Sequence, residues 1–155
     1  MKFTAVLTTL AVAAIAQAGL VERSGTKLTQ AEAESRLRGA GISWTSSGGC
    51  TDKTNPTCTS FDGVYSGTVQ GAITLKGACA CTLIITGGTE TGHASGTYSH
   101  ANGYKFDFSK NDKLNSYITN SFTRIANRGD GYPQWQAASG NIYCDEGTHW
   151  DVTYY

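Results

Sequence analysis

Two segments of the chain alternate strictly between apolar and polar positions. In GYKFDF, Tyr104, Phe106 and Phe108 fall on one side and Lys105 and Asp107 on the other; in THWDVTYY, Trp150, Val152 and Tyr154 oppose His149, Asp151 and Thr153. A period of two belongs to an extended strand with one packed face. Each segment therefore predicts a strand whose second face carries ionisable side chains. CTLIITGG reads as a third, short buried strand ending in glycines. Helical spacing dominates elsewhere. TQAEAESRLRGAG offers Thr29 as N-cap, Glu32 to complete a capping box, a thin apolar stripe, and Gly39 or Gly41 as a stop. TVQGAITLKGA sets Val69, Ala72, Ile73 and Lys76 at helical intervals despite Gly71, and DKLNSYITNSFTRI puts Leu114, Tyr117, Ile118, Phe122 and Ile125 on one stripe, predicting a helix that runs through Ile125. The polar stretch from Ser43 to Ser60 and the turn-rich RGDGYPQW read as surface loops, and no internal repeat is visible. This order predicts an α+β domain with a small, mostly antiparallel central sheet flanked by helices.

The amino terminus changes the boundaries. Lys2, the uncharged run TAVLTTLAVAAIA and Ala16-Gln17-Ala18 match the three regions of a secretory signal peptide, with an apolar run too short for a comfortable bilayer span. Residues 1–18 are read as that signal, 19–27 as a flexible lead-in and 28–155 as a single secreted, monomeric domain with no membrane association after cleavage. Twelve basic and twelve acidic residues balance, without a Lys/Arg cluster, which argues against nucleic acid or anionic lipid as a partner. Nineteen glycines and eight tyrosines fit a loop-rich extracellular protein containing strands better than a helical bundle.

All five cysteines follow the signal, where an oxidising compartment favours disulfides over thiolate metal ligands, and the odd number leaves one unpaired. Cys50 and Cys58 bracket a hydrophilic loop and are expected to bridge locally. Cys144 is then expected to pair with Cys81, or alternatively with Cys79, since those two would share one strand face and compete. Such a bridge would brace the segment that carries Glu146.

The chemistry concentrates in two places. The loop GHASGTYSHANG supplies His100 ahead of the strand bearing Asp107, and CDEGTHW supplies Glu146 and, three residues on, His149. A catalytic zinc takes three protein ligands, keeps one position open, and works beside a carboxylate that does not bind it but accepts a proton. His100, Asp107 and His149 with Glu146 make up that set. Either half alone is weak, because His100 could cap a turn and His149 could be an ordinary strand residue. Asp145 beside Glu146 is a poor glycosidase pair, since neighbouring residues rarely converge on one bond. Ser95 lacks a nucleophile elbow, and GGTETG is followed by no Gly-Lys-Ser/Thr. Tyr132, Trp135 and Trp150 are candidates for an aromatic subsite, with packing as the commoner use of such side chains.

Across roughly residues 62–155 the chain resembles the zinc D-Ala-D-Ala peptidases, of the fold group that also holds lysostaphin and hedgehog. That family's pattern is His, two residues, Gly, x-Ala-x and Asp, then Glu-x-Trp-His. His100, Gly103 and Asp107 fit the first half, Glu146 and His149 fit the second, and TVQGAITLKGACACTLIITGG is similar to the family's helix-then-strand entry to the site. The resemblance implies one Zn2+ per chain held by His100, Asp107 and His149, Glu146 as general base, and hydrolysis of amide bonds in peptidoglycan stem peptides or related peptides containing D-residues. The chain departs from the pattern at Lys105, where Ala is usual, at Thr148 in place of Trp, and at Ser99, which adjoins His100 instead of lying one residue further back. An expected arginine is also missing: TGGTETG offers only Thr89 and Glu90 in its region. His93 is the candidate for the oxyanion donor in its stead. Asp151 or backbone carbonyls are expected to orient the ligand imidazoles. The competing expectation is a zinc-stabilised binding or signalling module of the same fold without turnover, against which Glu146 speaks.

Overall fold

A computed structural model describes residues 24–155. The signal-peptide reading of residues 1–18 and most of the lead-in lie outside the described residues. The last of the lead-in is tied down: Lys27 bridges to Tyr65 and the Leu28 amide donates to the Val64 carbonyl at 2.8 Å.

Three helices and seven strands are fully described: α1 Gln30–Gly39, β1 Ser43–Trp44, α2 Ser66–Cys79, β2 Ile84–Gly87, β3 Lys105–Ser109, α3 Asp112–Ser121, β4 Thr123–Ile125, β5 Gln134–Gln136, β6 Ile142–Asp145 and β7 His149–Thr153. The strands form one sheet in the order β1-β2-β3-β7-β6-β5-β4. β1 and β2 are parallel and every other pair is antiparallel, so the sheet is mixed but mostly antiparallel, as the order of elements suggested.

The central pair β3–β7 fixes everything else. Its register matches Phe106 with Val152 and Phe108 with Trp150 on one face, all fully or almost fully buried. α1 and α2 contribute Leu37, Val69 and Leu75 to the same core. α1 begins as its capping box requires, with the Thr29 side chain accepting from the Glu32 amide and the Glu32 carboxylate accepting from the Thr29 amide at 2.8 Å. Gly71, which costs a helix interior roughly 0.5–1 kcal/mol relative to Ala, is explained by packing: a Cβ there would run into the Tyr154 ring.

Several expectations are corrected. The third helix stops at Ser121, because Phe122 turns extended (φ −109°, ψ 157°) and Thr123–Ile125 pairs with β5. Phe122 keeps its apolar contacts by packing on Tyr117 and Tyr143, so the helical spacing of its side chain was coincidental. The stretch read as a loop from Ser43 contains β1, and RGDGYPQW runs into β5.

The Cys50–Cys58 bond is present, but the second bond joins Cys79 to Cys81, and Cys144 is a free, buried thiol. The expected Cys81–Cys144 bridge fails on geometry. Cys144 stands opposite Asp151 in the β6–β7 ladder, which puts it on the polar face of the sheet, whereas Cys81 belongs to the core on the other face. Nor do Cys79 and Cys81 share a strand: Cys79 ends α2, and Ala80 between them is left-handed at φ 46°.

Candidate metal centre

The face of β3–β7 turned away from the core lines a cavity of about 440 Å3. All three histidines of the chain reach it, with the carboxylates of Asp107, Asp130, Glu146 and Asp151 and the cations Lys105 and Arg128. Four carboxylates against two permanent cations make this a place where additional positive charge is favoured.

Each imidazole is held by one ring nitrogen and presents the other. His100 Nδ1 donates to the Gly88 carbonyl at 2.7 Å, which leaves Nε2 facing Asp107 Oδ1 at 3.3 Å. His149 Nδ1 lies 2.9 Å from the Thr148 hydroxyl, and its Nε2 stands 3.7 Å from Asp107 Oδ1 and 3.1 Å from Glu146 Oε2. His93 Nε2 meets Glu90 Oε1 at 2.9 Å, and its Nδ1 lies 3.8 Å from Asp107 Oδ2. The His93 and His100 rings stack at 3.8 Å, 15° from parallel. A hydrogen bond on the far nitrogen is how proteins fix the tautomer and aim of a metal-binding histidine.

Asp107 is the hub. It is 6% exposed, and its Oδ1 is buried without a hydrogen-bond partner although His100 Nε2 comes within 3.3 Å. Burial pushes its carboxyl pKa up, but His100 beside it and the charges of His149 and His93 outweigh that and hold it below the ordinary value. Glu90 behaves similarly. Burial again opposes ionisation, and His93 together with the amides of Ser60 and Gly88 prevails. Backbone shape makes room for this packing: a Cβ on Gly87 would run into Asp107 Oδ2, and Gly103, at φ +86°, lies too close to Gly63 and Val64 for any side chain.

The ligand atoms of His93, His100 and Asp107 all lie within 4.8 Å of one another, so these three form a possible metal-binding triad. The sequence-based set was His100, Asp107 and His149. The structure brings His149 Nε2 to 3.7 Å from Asp107 and 3.1 Å from Glu146, and it is His93 that completes the group of three mutually close ligand atoms.

Arg128 of the cavity wall and Glu90 behind it went unassigned in the sequence. Arg128 binds Glu146 Oε1 at 2.5 Å, Asp130 at 2.7 Å and Asp151 at 2.9 Å, and those partners keep it firmly protonated. It comes from the RGDGYPQW loop, where an Arg two positions before Asp within a glycine-rich turn was the only visible signal. Glu90 sat in a turn whose amides it organises. Asp151 does not orient an imidazole; it accepts from Lys105 at 2.7 Å and from Arg128. The backbone carbonyl of Gly88, offered as the other possibility, takes that part for His100. Asp145 is engaged by Lys110 at 2.7 Å. Trp150 is a core residue, Trp135 packs on it, and of the three candidate subsite aromatics only Tyr132 is well exposed, with Arg128 over its ring. Cys144 adjoins the cavity wall as a thiol, its pKa pushed up to about 11 by burial. Among the described residues no helix is long and apolar enough to cross a membrane.

The chain matches no protein-family model, no curated protein and no solved structure.

Proposed function

We propose that the protein is a secreted, zinc-dependent hydrolase of peptide amide bonds, with His100, Asp107 and His149 holding the metal and Glu146 serving as general base. The observation that carries this is the buried, unpartnered Asp107 Oδ1 with the Nε2 atoms of His100 and His149 aimed at it from 3.3 and 3.7 Å. An orphaned carboxylate oxygen buried among imidazole nitrogens is costly without a cation. Imidazole and carboxylate together suit zinc. A zinc ion bound there supplies an acidified water and polarises a carbonyl.

The remaining work belongs to the chain. Glu146 Oε2 faces the cavity next to His149 and is placed to take a proton from the attacking water and return it to the leaving nitrogen. Arg128 holds the other oxygen of Glu146, which aims Oε2, and its guanidinium supplies a fixed positive charge in a cavity where negative charge develops on the scissile carbonyl. The preference for stem peptides with D-residues rests on the motif resemblance alone.

Glu146→Ala tests the reading against peptides ending in D-Ala-D-Ala and against muropeptides. Hydrolysis is expected to fall by about 10²–10⁴-fold while roughly one zinc per chain is retained. Undiminished hydrolysis in that variant removes Glu146 from the mechanism. A wild type that retains zinc but cleaves no peptide supports the zinc-stabilised binding module instead.

A further inference from the structure

His93 is left over by the three-ligand assignment, yet it is among the most deliberately held side chains in the cavity. Its partner Glu90 has a side chain only 3% exposed and is itself fixed by the Ser60 amide at 2.7 Å and the Gly88 amide at 2.9 Å. A carboxylate accepts hydrogen bonds, so in the neutral ring the proton sits on Nε2 and Nδ1 carries a lone pair. That lone pair faces Asp107 Oδ2 at 3.8 Å. The same holds on the other oxygen. His100 gives its Nδ1 proton to the Gly88 carbonyl, so its Nε2 lone pair faces Asp107 Oδ1 at 3.3 Å.

Acceptor therefore faces acceptor on both sides of one buried carboxylate, and the two rings that do this are stacked nearly parallel at 3.8 Å. A single cation among them relieves both oppositions. Their ligand atoms already lie within 4.8 Å of one another. The carboxylate–imidazole pair behind His93 matches the arrangement by which buried carboxylates orient and strengthen histidine ligands. Gly87 preserves the arrangement from below, since a Cβ there would collide with Asp107 and come within 3.1 Å of the His93 ring.

We propose that His93, oriented by Glu90, is a fourth protein ligand of the cation held by His100, Asp107 and His149. The proposal rests on the metal site argued above and deepens it. Four protein donors complete the coordination of a tetrahedral ion, and a catalytic zinc needs one position open. His93 is then the ligand that yields, because it lies on a loop stretch between two positive-φ glycines, Gly92 and Gly96, whereas His100 and Asp107 are buried and His149 is held in β7.

Metal binding to the full mature chain tests this without reference to activity. Zn2+ affinity is read by chelator competition, and coordination by the visible spectrum of the Co2+-loaded protein, for wild type, His93→Ala, Glu90→Gln and His100→Ala, each checked for folding by circular dichroism. The expected result is a Zn2+ affinity lowered at least tenfold in His93→Ala and by about 10–100-fold in Glu90→Gln, with weaker, shifted Co2+ bands in His93→Ala. Wild-type affinity and spectrum in both His93→Ala and Glu90→Gln, with binding lost in His100→Ala, overturn the fourth ligand and leave the three-ligand site standing. Metal held by His100→Ala as tightly as by wild type overturns the site itself, and this proposal with it.

Discussion

The two faces of the β3–β7 pair share one backbone and one register but are built on opposite principles. On the core face Phe106 meets Val152 and Phe108 meets Trp150, and burial of apolar surface needs no further partner. On the cavity face Asp107 stands directly opposite Asp151. Like charges directly across a strand pair are destabilising, and here both carboxylates are buried to within 6% exposure. They are kept apart in their partners: Lys105 and Arg128 pair with Asp151, whereas Asp107 is surrounded by imidazoles. One face supplies stability by a generic effect, and the other holds charges that only specific partners make tenable.

The largest effect belongs to the core face. Phe108→Ala removes a fully buried ring that touches Phe106 and faces Trp150, and equilibrium urea unfolding is expected to show a loss of about 3–5 kcal/mol. A loss below about 1 kcal/mol, the usual scale of surface changes, would show that the sheet does not depend on this face. The next effect belongs to the polar face. Asp151→Ala strips Lys105 and Arg128 of a shared acceptor. Their side chains keep 19% and 28% exposure, so water replaces part of what is lost, and the expected cost is about 1–3 kcal/mol. Zn2+ affinity in that variant should stay within severalfold of wild type, because the side-chain hydrogen bonds of Asp151 go to Lys105 and Arg128 rather than to a proposed ligand. A collapse of metal binding would mean that the two carboxylates act as one unit.

How much of this contrast was legible in the sequence follows from its physics. Both faces of β3 and β7 were readable because a period of two is imposed by the strand itself, and Asp107, His149 and the aromatics fell where alternation put them. The Thr29–Glu32 capping box was readable for the same local reason. The outer strands were not. β4 and β5 are three residues each, too short for a run or an alternation to stand out, and they form by pairing in turn, β5 on the edge of β6 and β4 on β5. The disulfide error came from assigning Cys79 and Cys81 to a strand when helix α2 persists to Cys79. The motif spacing picked out His100, Asp107, Glu146 and His149, all of which line the cavity, but Arg128 reaches Glu146 across 18 residues and Glu90 is fixed by the Ser60 amide 30 residues away. No local pattern encodes those.

The sharpest division between the faces is expected from the smallest change. Asp107→Asn keeps the shape of the hub, removes the charge that stands against Asp151, and forfeits one anionic ligand. In the metal-free protein its stability should stay within about 1 kcal/mol of wild type, since the lost repulsion and the lost attraction of the histidines oppose one another. Added zinc separates the two proteins. At a free concentration of 100 times its Kd, a ligand bound only by the folded state stabilises by about 2.7 kcal/mol, and thermal melts should show that shift in wild type and little of it in Asp107→Asn. If the metal-free variant instead unfolds as readily as Phe108→Ala, Asp107 is a structural residue of the sheet. If zinc raises both melting temperatures equally, the cation is bound elsewhere. Either result would dissolve the distinction between a face that makes the fold and a face that makes the site.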